Sequence, residues 1–199
     1  MAPHAVLREI GCPFELIRVD ISNAENRDPA YLALNPNARV PTMVHGDRVI
    51  YESAAIVLYL CEAHPGAGLM PLPGEHGRGE FLQWLFWLTN TLQEDLQHWW
   101  HADNYLDTEP ARHELKAVSE RRLGRMFSQL DSRLGQGGPY MLGARFSAAD
   151  IFLVMLCRWT RAMAVPATSY PNINRLIGLV TARPAWKAMM LTEGIDWNG

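Results

Sequence analysis

At 199 residues, 48% of them hydrophobic, the chain can build one large domain or two small ones with a real core. Its formal net charge of −3 excludes a general nucleic-acid binder, because phosphate affinity requires a basic surface. No stretch reaches the roughly 18 to 20 apolar residues of a membrane span, and Pro3, Arg8 and Glu9 interrupt any signal-peptide run, so a soluble cytoplasmic protein with no membrane or nucleic-acid partner is expected.

The chain opens on a helix. Pro3 suits a first turn, Ala2, Val6 and Ile10 form one apolar stripe, and Gly11 with Pro13 marks the stop. "FELIRVD" then alternates like a half-buried strand. "DPAYLALNP" predicts a short helical turn that ends before Pro36. "PTMVHGDRVIYES" is the clearest hairpin, with β-rich arms on either side of His45-Gly46-Asp47. "SAAIVLYLCEA" follows as a helix with Ser53 at its cap. "HPGAGLMPLPGEHG" is dense in Pro and Gly and reads as a linker.

Everything beyond is helical in pattern. The long segment from Arg78 carries Leu82, Leu85, Phe86, Thr89, Leu92, Leu96 and Trp99 at helical spacing. Trp84, Trp87 and Trp100 lie off that stripe, so more than one face is buried. A second amphipathic helix ends at "GQGGP". "SAADIFLVMLCRWTRAMAV" is nearly all apolar and predicts a central buried helix, with Ser147 and Asp150 as a structural capping pair and Phe146 and Ile151 at staple positions. "NINRLIGLVTAR" and "AWKAMMLTE" complete the set. Cys12, Cys61 and Cys157 form no CxxC and no metal-ligand spacing, so they are expected to be reduced thiols.

The chemistry concentrates in "RVPTMVHGDRVIYESAAI". A cis peptide before Pro41 leaves the Val40 backbone free to pair with an extended ligand. Glu52 and Ser53 fall at a strand–helix joint, where Ser53 offers a hydroxyl and an N–H to a carboxylate and Glu52 suits an ammonium. Together they suit a short peptide with an amino-acid head.

A V-P pair, a hairpin, E-S-x-A-I, a Pro/Gly linker and a helical half carrying F-S-x-A-D-I resemble the cytosolic glutathione transferases, bacterial members especially. The resemblance covers essentially the whole chain. It implies an α+β, thioredoxin-like N-terminal domain over residues 1–65, a linker over 66–76 and an all-α helical-bundle domain over 77–199. It also implies a homodimer that takes glutathione and a small apolar electrophile as substrates. Glutathione would lie on Val40 and Pro41, with its γ-glutamyl end at Glu52 and Ser53. The implied activity is conjugation of the glutathione thiolate to the electrophile.

In that family a β-strand and a loop bearing Ser, Cys or Tyr come before the first helix. Only Met1 and Ala2 stand there in this sequence. The expected N-terminal domain is therefore truncated, with "FELIRVD" unpaired or displaced, and no catalytic residue is identified. A misplaced start and a real truncation both fit. Weak activity, or a non-catalytic glutathione-binding or structural protein, is the alternative. A disulfide reductase would need a cysteine in that loop, and Cys12 lies past the first helix. His4 is either exposed or a cation assisting the thiolate. Gln93, Gln97 and Trp100 share a face that lines a co-substrate pocket or an interface. Gln93 stands where some bacterial relatives have a histidine that reaches the sulfur. Asp95, His98 and His101 drift around the helix, and no metal is expected. Arg121, Arg122 and Arg125 read as a solvated face.

Overall fold

The computed structural model describes residues 1–197. Helix α1 (Ala2–Ile10) buries Ala2, Pro3, His4, Ala5 and Val6. It ends at Gly11, whose φ of 74° suits glycine and whose N–H bonds the Leu7 carbonyl at 3.0 Å. Residues 12–19 form neither helix nor strand, and their backbone makes no hydrogen bond among the described residues. The strand read from "FELIRVD" is thus corrected, while the expectation that this segment stays unpaired holds. Alternation makes a segment fit to pair, but only a ladder partner makes it a strand.

A single turn, α2 (Pro29–Leu32), leads to the sheet. The sheet has two strands, β1 (Thr42–His45) and β2 (Arg48–Tyr51), antiparallel with Thr42 opposite Tyr51 and His45 opposite Arg48. The turn between them is Gly46-Asp47, with Gly46 at φ 62°. Helix α3 (Ser53–Ala63) packs on the hairpin and on α1. The Pro/Gly-rich stretch that follows is docked rather than loose. Leu69 and Met70 are buried, and the Leu69 carbonyl accepts the Ala148 N–H at 2.8 Å.

The segment from Arg78 is helical but not one helix. It runs as α4 (Arg78–Trp87), a π-helical turn over Leu88–Leu92, and α5 (Gln93–Trp100). Thr89 Oγ1 donates back to Leu85 and Phe86 carbonyls at 3.3 and 3.1 Å inside that turn. Then come α6 (Glu109–Gly137), α7 (Ala148–Trp159), α8 (Pro171–Thr181) and α9 (Pro184–Glu193). Helix α7 is the centre of the core, buried continuously from Ala148 to Cys157. Its start is the capping pair read from sequence: Asp150 accepts the Ser147 N–H at 2.8 Å and the Met141 N–H at 2.7 Å. Helix α1 packs on α3, α7 and α9, so it belongs to both halves of the molecule.

Candidate functional site

The Val40–Pro41 peptide is cis, and Val40 is 42% exposed. A polar cluster holds the turn in front of it. The Asn35 side chain, only 2% exposed, donates to the Arg39 carbonyl at 2.7 Å and to Thr42 Oγ1 at 3.2 Å, and accepts the Asn37 N–H at 3.1 Å. Tyr31 donates its hydroxyl to the same Arg39 carbonyl at 2.7 Å, and Asn26 donates to the Ala38 carbonyl at 2.6 Å. These residues fix the path of Arg39 and Val40 while leaving the Val40 backbone outside the network. Sequence reasoning missed all three. Only the "NPNA" turn composition hints at Asn35.

Glu52 sits at the head of α3 with φ 73° and ψ 116°, a conformation that costs a non-glycine residue on the order of 1–3 kcal/mol. Its carbonyl takes the first helical bond, from the Ile56 N–H at 3.0 Å. The N–H groups of Ser53, Ala54 and Ala55 make no hydrogen bond among the described residues. Three aligned donors, a serine hydroxyl and the positive end of α3 form an anion-binding geometry beside a carboxylate.

His4 lies elsewhere in function. It is 5% exposed rather than solvated, and Arg8 Nε donates to its Nε2 at 3.2 Å. An arginine can only donate, so Nε2 accepts from it, and Nδ1 meets Glu193 Oε1 at 2.8 Å. His4 is therefore engaged at both ring nitrogens rather than exposed. Burial pushes the Cys61 thiol up to about 12 and raises Cys157 as well, so neither is a thiolate nucleophile.

Residues 2–63 match the family model for the glutathione S-transferase N-terminal domain, and residues 101–188 match that for its C-terminal domain. The disulfide-bond oxidoreductase YfcG of Escherichia coli is 30% identical over 190 residues, 90% of this chain and 84% of that protein. The chain belongs to the glutathione S-transferase family. Within the glutathione S-transferases, GST-4.5 of Xanthomonas campestris is 26% identical over 98% of this chain and 95% of its own length. A Sulfitobacter glutathione transferase homologue solved with bound glutathione superposes with a TM-score of 0.87 at 26% identity, covering 98% of this chain and 93% of that one. A Methylococcus capsulatus glutathione transferase is 31% identical with a TM-score of 0.85 over 97% and 93% of the two chains.

On this glutathione S-transferase frame the remaining candidates separate. Gln93 and Gln97 are half-buried on α5. Trp100 commits its N–H to the Trp159 carbonyl at 2.7 Å and carries the Arg161 guanidinium 5.1 Å from its ring centre, which ties α5 to the end of α7. Asp95 is buried and accepts from Arg122 Nε at 2.7 Å. Arg122 is thus an ion-pair partner rather than a member of a purely solvated face. Among the described residues no group of three or more His, Cys, Asp or Glu is arranged to hold a metal ion.

Proposed function

We infer that the protein is a glutathione transferase whose glutathione-binding residues are Val40, Pro41, Glu52 and Ser53. The observation that carries this reading is the strained Glu52 at the head of α3, a short hairpin away from the exposed Val40 backbone. Strain of that kind persists where a ligand uses it. The tripeptide backbone pairs with Val40, its γ-glutamyl carboxylate takes the Ser53 hydroxyl and the α3 amides, and Glu52 takes the ammonium.

A thiol with pKa about 8.5 needs roughly 2 kcal/mol to be half ionised at pH 7. The N-terminal turn of α1 contributes about 0.3–1 kcal/mol of that through its dipole. The reaction on this reading is conjugation of the glutathione thiolate to a small apolar electrophile. Gln93 and Gln97 are the polar lining we assign to the electrophile's pocket, with Trp100 as its floor. The protein works in the cytoplasm as a homodimer on this reading. Free Cys12, Cys61 and Cys157 suit a reducing compartment. The face of α5 and α6, where a cleft of ≈ 330 Å³ brings Glu94, Asp95 and Arg122 together, offers both signs of charge to a two-fold partner.

The test is conjugation of glutathione to a chloronitrobenzene, together with retention on immobilised glutathione. Turnover and retention are expected. Ser53→Ala raises KM for glutathione roughly ten- to a hundredfold, as loss of a charge-assisted hydrogen bond of about 1.5–3 kcal/mol requires. Retention without turnover would remove the catalytic half of the reading, and an unchanged KM in Ser53→Ala would remove the site.

A further inference from the structure

Three carbonyls at the end of α7 accept hydrogen bonds from side chains. Trp100 Nε1 donates to Trp159 at 2.7 Å, Thr160 Oγ1 to Cys157 at 2.7 Å, and Arg161 Nη1 to Arg158 at 3.3 Å. Thr160, 1% exposed, also accepts the Ala167 N–H at 2.7 Å, which closes the loop after α7 and fixes where Arg161 stands. The Arg161 guanidinium lies 5.1 Å from the Trp100 ring centre. It is exposed, no carboxylate pairs with it among the described residues, and its Nε and Nη2 atoms carry no hydrogen bond there. Arg158, one turn back, is differently placed. Its Nε donates to the Asp196 carbonyl at 2.9 Å. Burial and then the nearby Arg161 charge hold its pKa below the usual arginine value, while the Asp196 and Glu193 carboxylates pull the other way. Glu193 also meets His4, in the first turn of α1, at 2.8 Å. The two arginines therefore stand at the end of the molecule where α1 begins, the end at which our reading places the glutathione sulfur.

We propose that the electrophile is an anion, a flat apolar molecule bearing a carboxylate, and that Arg161 is the residue that selects it. This deepens the assignment of Gln93, Gln97 and Trp100 to the electrophile's pocket and rests on it. The Trp100 ring and the Arg158 carbonyl hold the guanidinium in place. Nε and Nη2 remain as the parallel donors that a carboxylate takes bidentately. Capping α7, which the helix dipole favours for any cation, uses Nη1 alone. A neutral ring could cover Trp100 equally well, but it would leave the other two donors to water. A carboxylate at Arg161 also relieves the repulsion between two neighbouring guanidinium groups, of which only Arg158 has carboxylates acting on it.

The experiment compares a matched pair of electrophiles: 4-chloro-3,5-dinitrobenzoate, ionised at neutral pH, and its uncharged methyl ester. In both, the glutathione sulfur bonds to the ring carbon, chloride leaves and the thiol proton goes to solvent. Each rate is divided by its uncatalysed rate. Wild type prefers the acid about tenfold in kcat/KM, through KM, the low end for a charged hydrogen bond because the guanidinium is exposed. Arg161→Gln, which keeps a donor for the Arg158 carbonyl, cuts the acid-to-ester ratio about tenfold, and Arg161→Glu turns it in favour of the ester. The side chain is exposed, so the fold is kept, and circular dichroism checks this. A second measurement needs no turnover. Calorimetric titration with 3,5-dinitrobenzoate, which has no leaving group, gives a Kd that rises about tenfold in Arg161→Gln. A wild-type ratio near one, or a ratio or Kd unchanged in Arg161→Gln, overturns the inference. Loss of retention on immobilised glutathione is the separate sign that the glutathione reading has failed, and the titration then still decides whether Arg161 holds an anion.

Discussion

His4 shows how far a single residue's role can lie from its neighbourhood in sequence. Its spacing on α1 describes a histidine near a helix start. Its actual state is set by Glu193, 189 residues away, and by the arginine one turn on. No local pattern contains that information. Asp150 is the opposite case. The S-x-x-D spacing named its role, and the structure supplies the energetics. Burial pushes its pKa up to about 6, against the opposing pull of hydrogen bonds from Met141 and Ser147. The native state therefore holds this proton more tightly than the unfolded chain, whose value is near 3.8. The resulting stabilisation is complete below about pH 3.8 and disappears as pH rises through about 6. Asp150→Asn removes both the cap and the titration. Wild type should exceed the variant in unfolding free energy at every pH, by about 1–3 kcal/mol near pH 8. The gap should widen by about 1 kcal/mol at pH 5. Urea melts of both proteins at the two pH values measure it, and a gap that stays constant or narrows on acidification contradicts the assignment.

At the scale of elements, the hairpin, α3 and α7 were readable because their signals are local: a two-residue turn, a cap, an apolar run. What was not readable depended on partners. "FELIRVD" has a strand's alternation and no ladder, and the long helix after Arg78 hides a π-helical turn that its apolar stripe passes straight through. The joint between halves was equally invisible. Glu9 on α1 accepts two hydrogen bonds from Arg183 at the head of α9, at 2.6 and 2.7 Å, and the same guanidinium lies 3.8 Å above the Phe146 ring. That one side chain joins α1, α9 and the approach to α7. The fork geometry matters, so lysine is a poor substitute. A double-mutant cycle on Glu9→Gln and Arg183→Lys should give a coupling of about 1 kcal/mol in unfolding free energy, because the pair is bidentate and Glu9 is nearly buried. A coupling of zero would reduce the pair to surface decoration.

For the whole molecule, α1 decides how the halves behave together. By chain order it belongs with the hairpin, yet its hydrogen bonds and ion pairs run to α9, through His4–Glu193, Arg8–Thr192 and Glu9–Arg183. The hairpin, by contrast, is four residue pairs deep, with Val44 57% and Val49 41% exposed. Stability should therefore divide inside the N-terminal region rather than at the Pro/Gly-rich stretch. Native-state hydrogen exchange resolves this division. Amides of α7 should exchange only through global unfolding, since Ala148 to Cys157 are all buried. Amides of α1 should follow them closely, and those of β1 and β2 should exchange much faster by local opening. That order has a functional meaning. The glutathione residues on our reading sit on the easily opened part, at Val40 and Pro41, and at its junction with the stable part, at Glu52 and Ser53. Glutathione should accordingly slow exchange in the hairpin far more than in α1 or α7, because a ligand protects most where opening is cheapest and binding forbids it. If α1 instead exchanged in step with the hairpin, the ties to α9 would carry no energy, and the molecule would be two independent domains meeting at a linker.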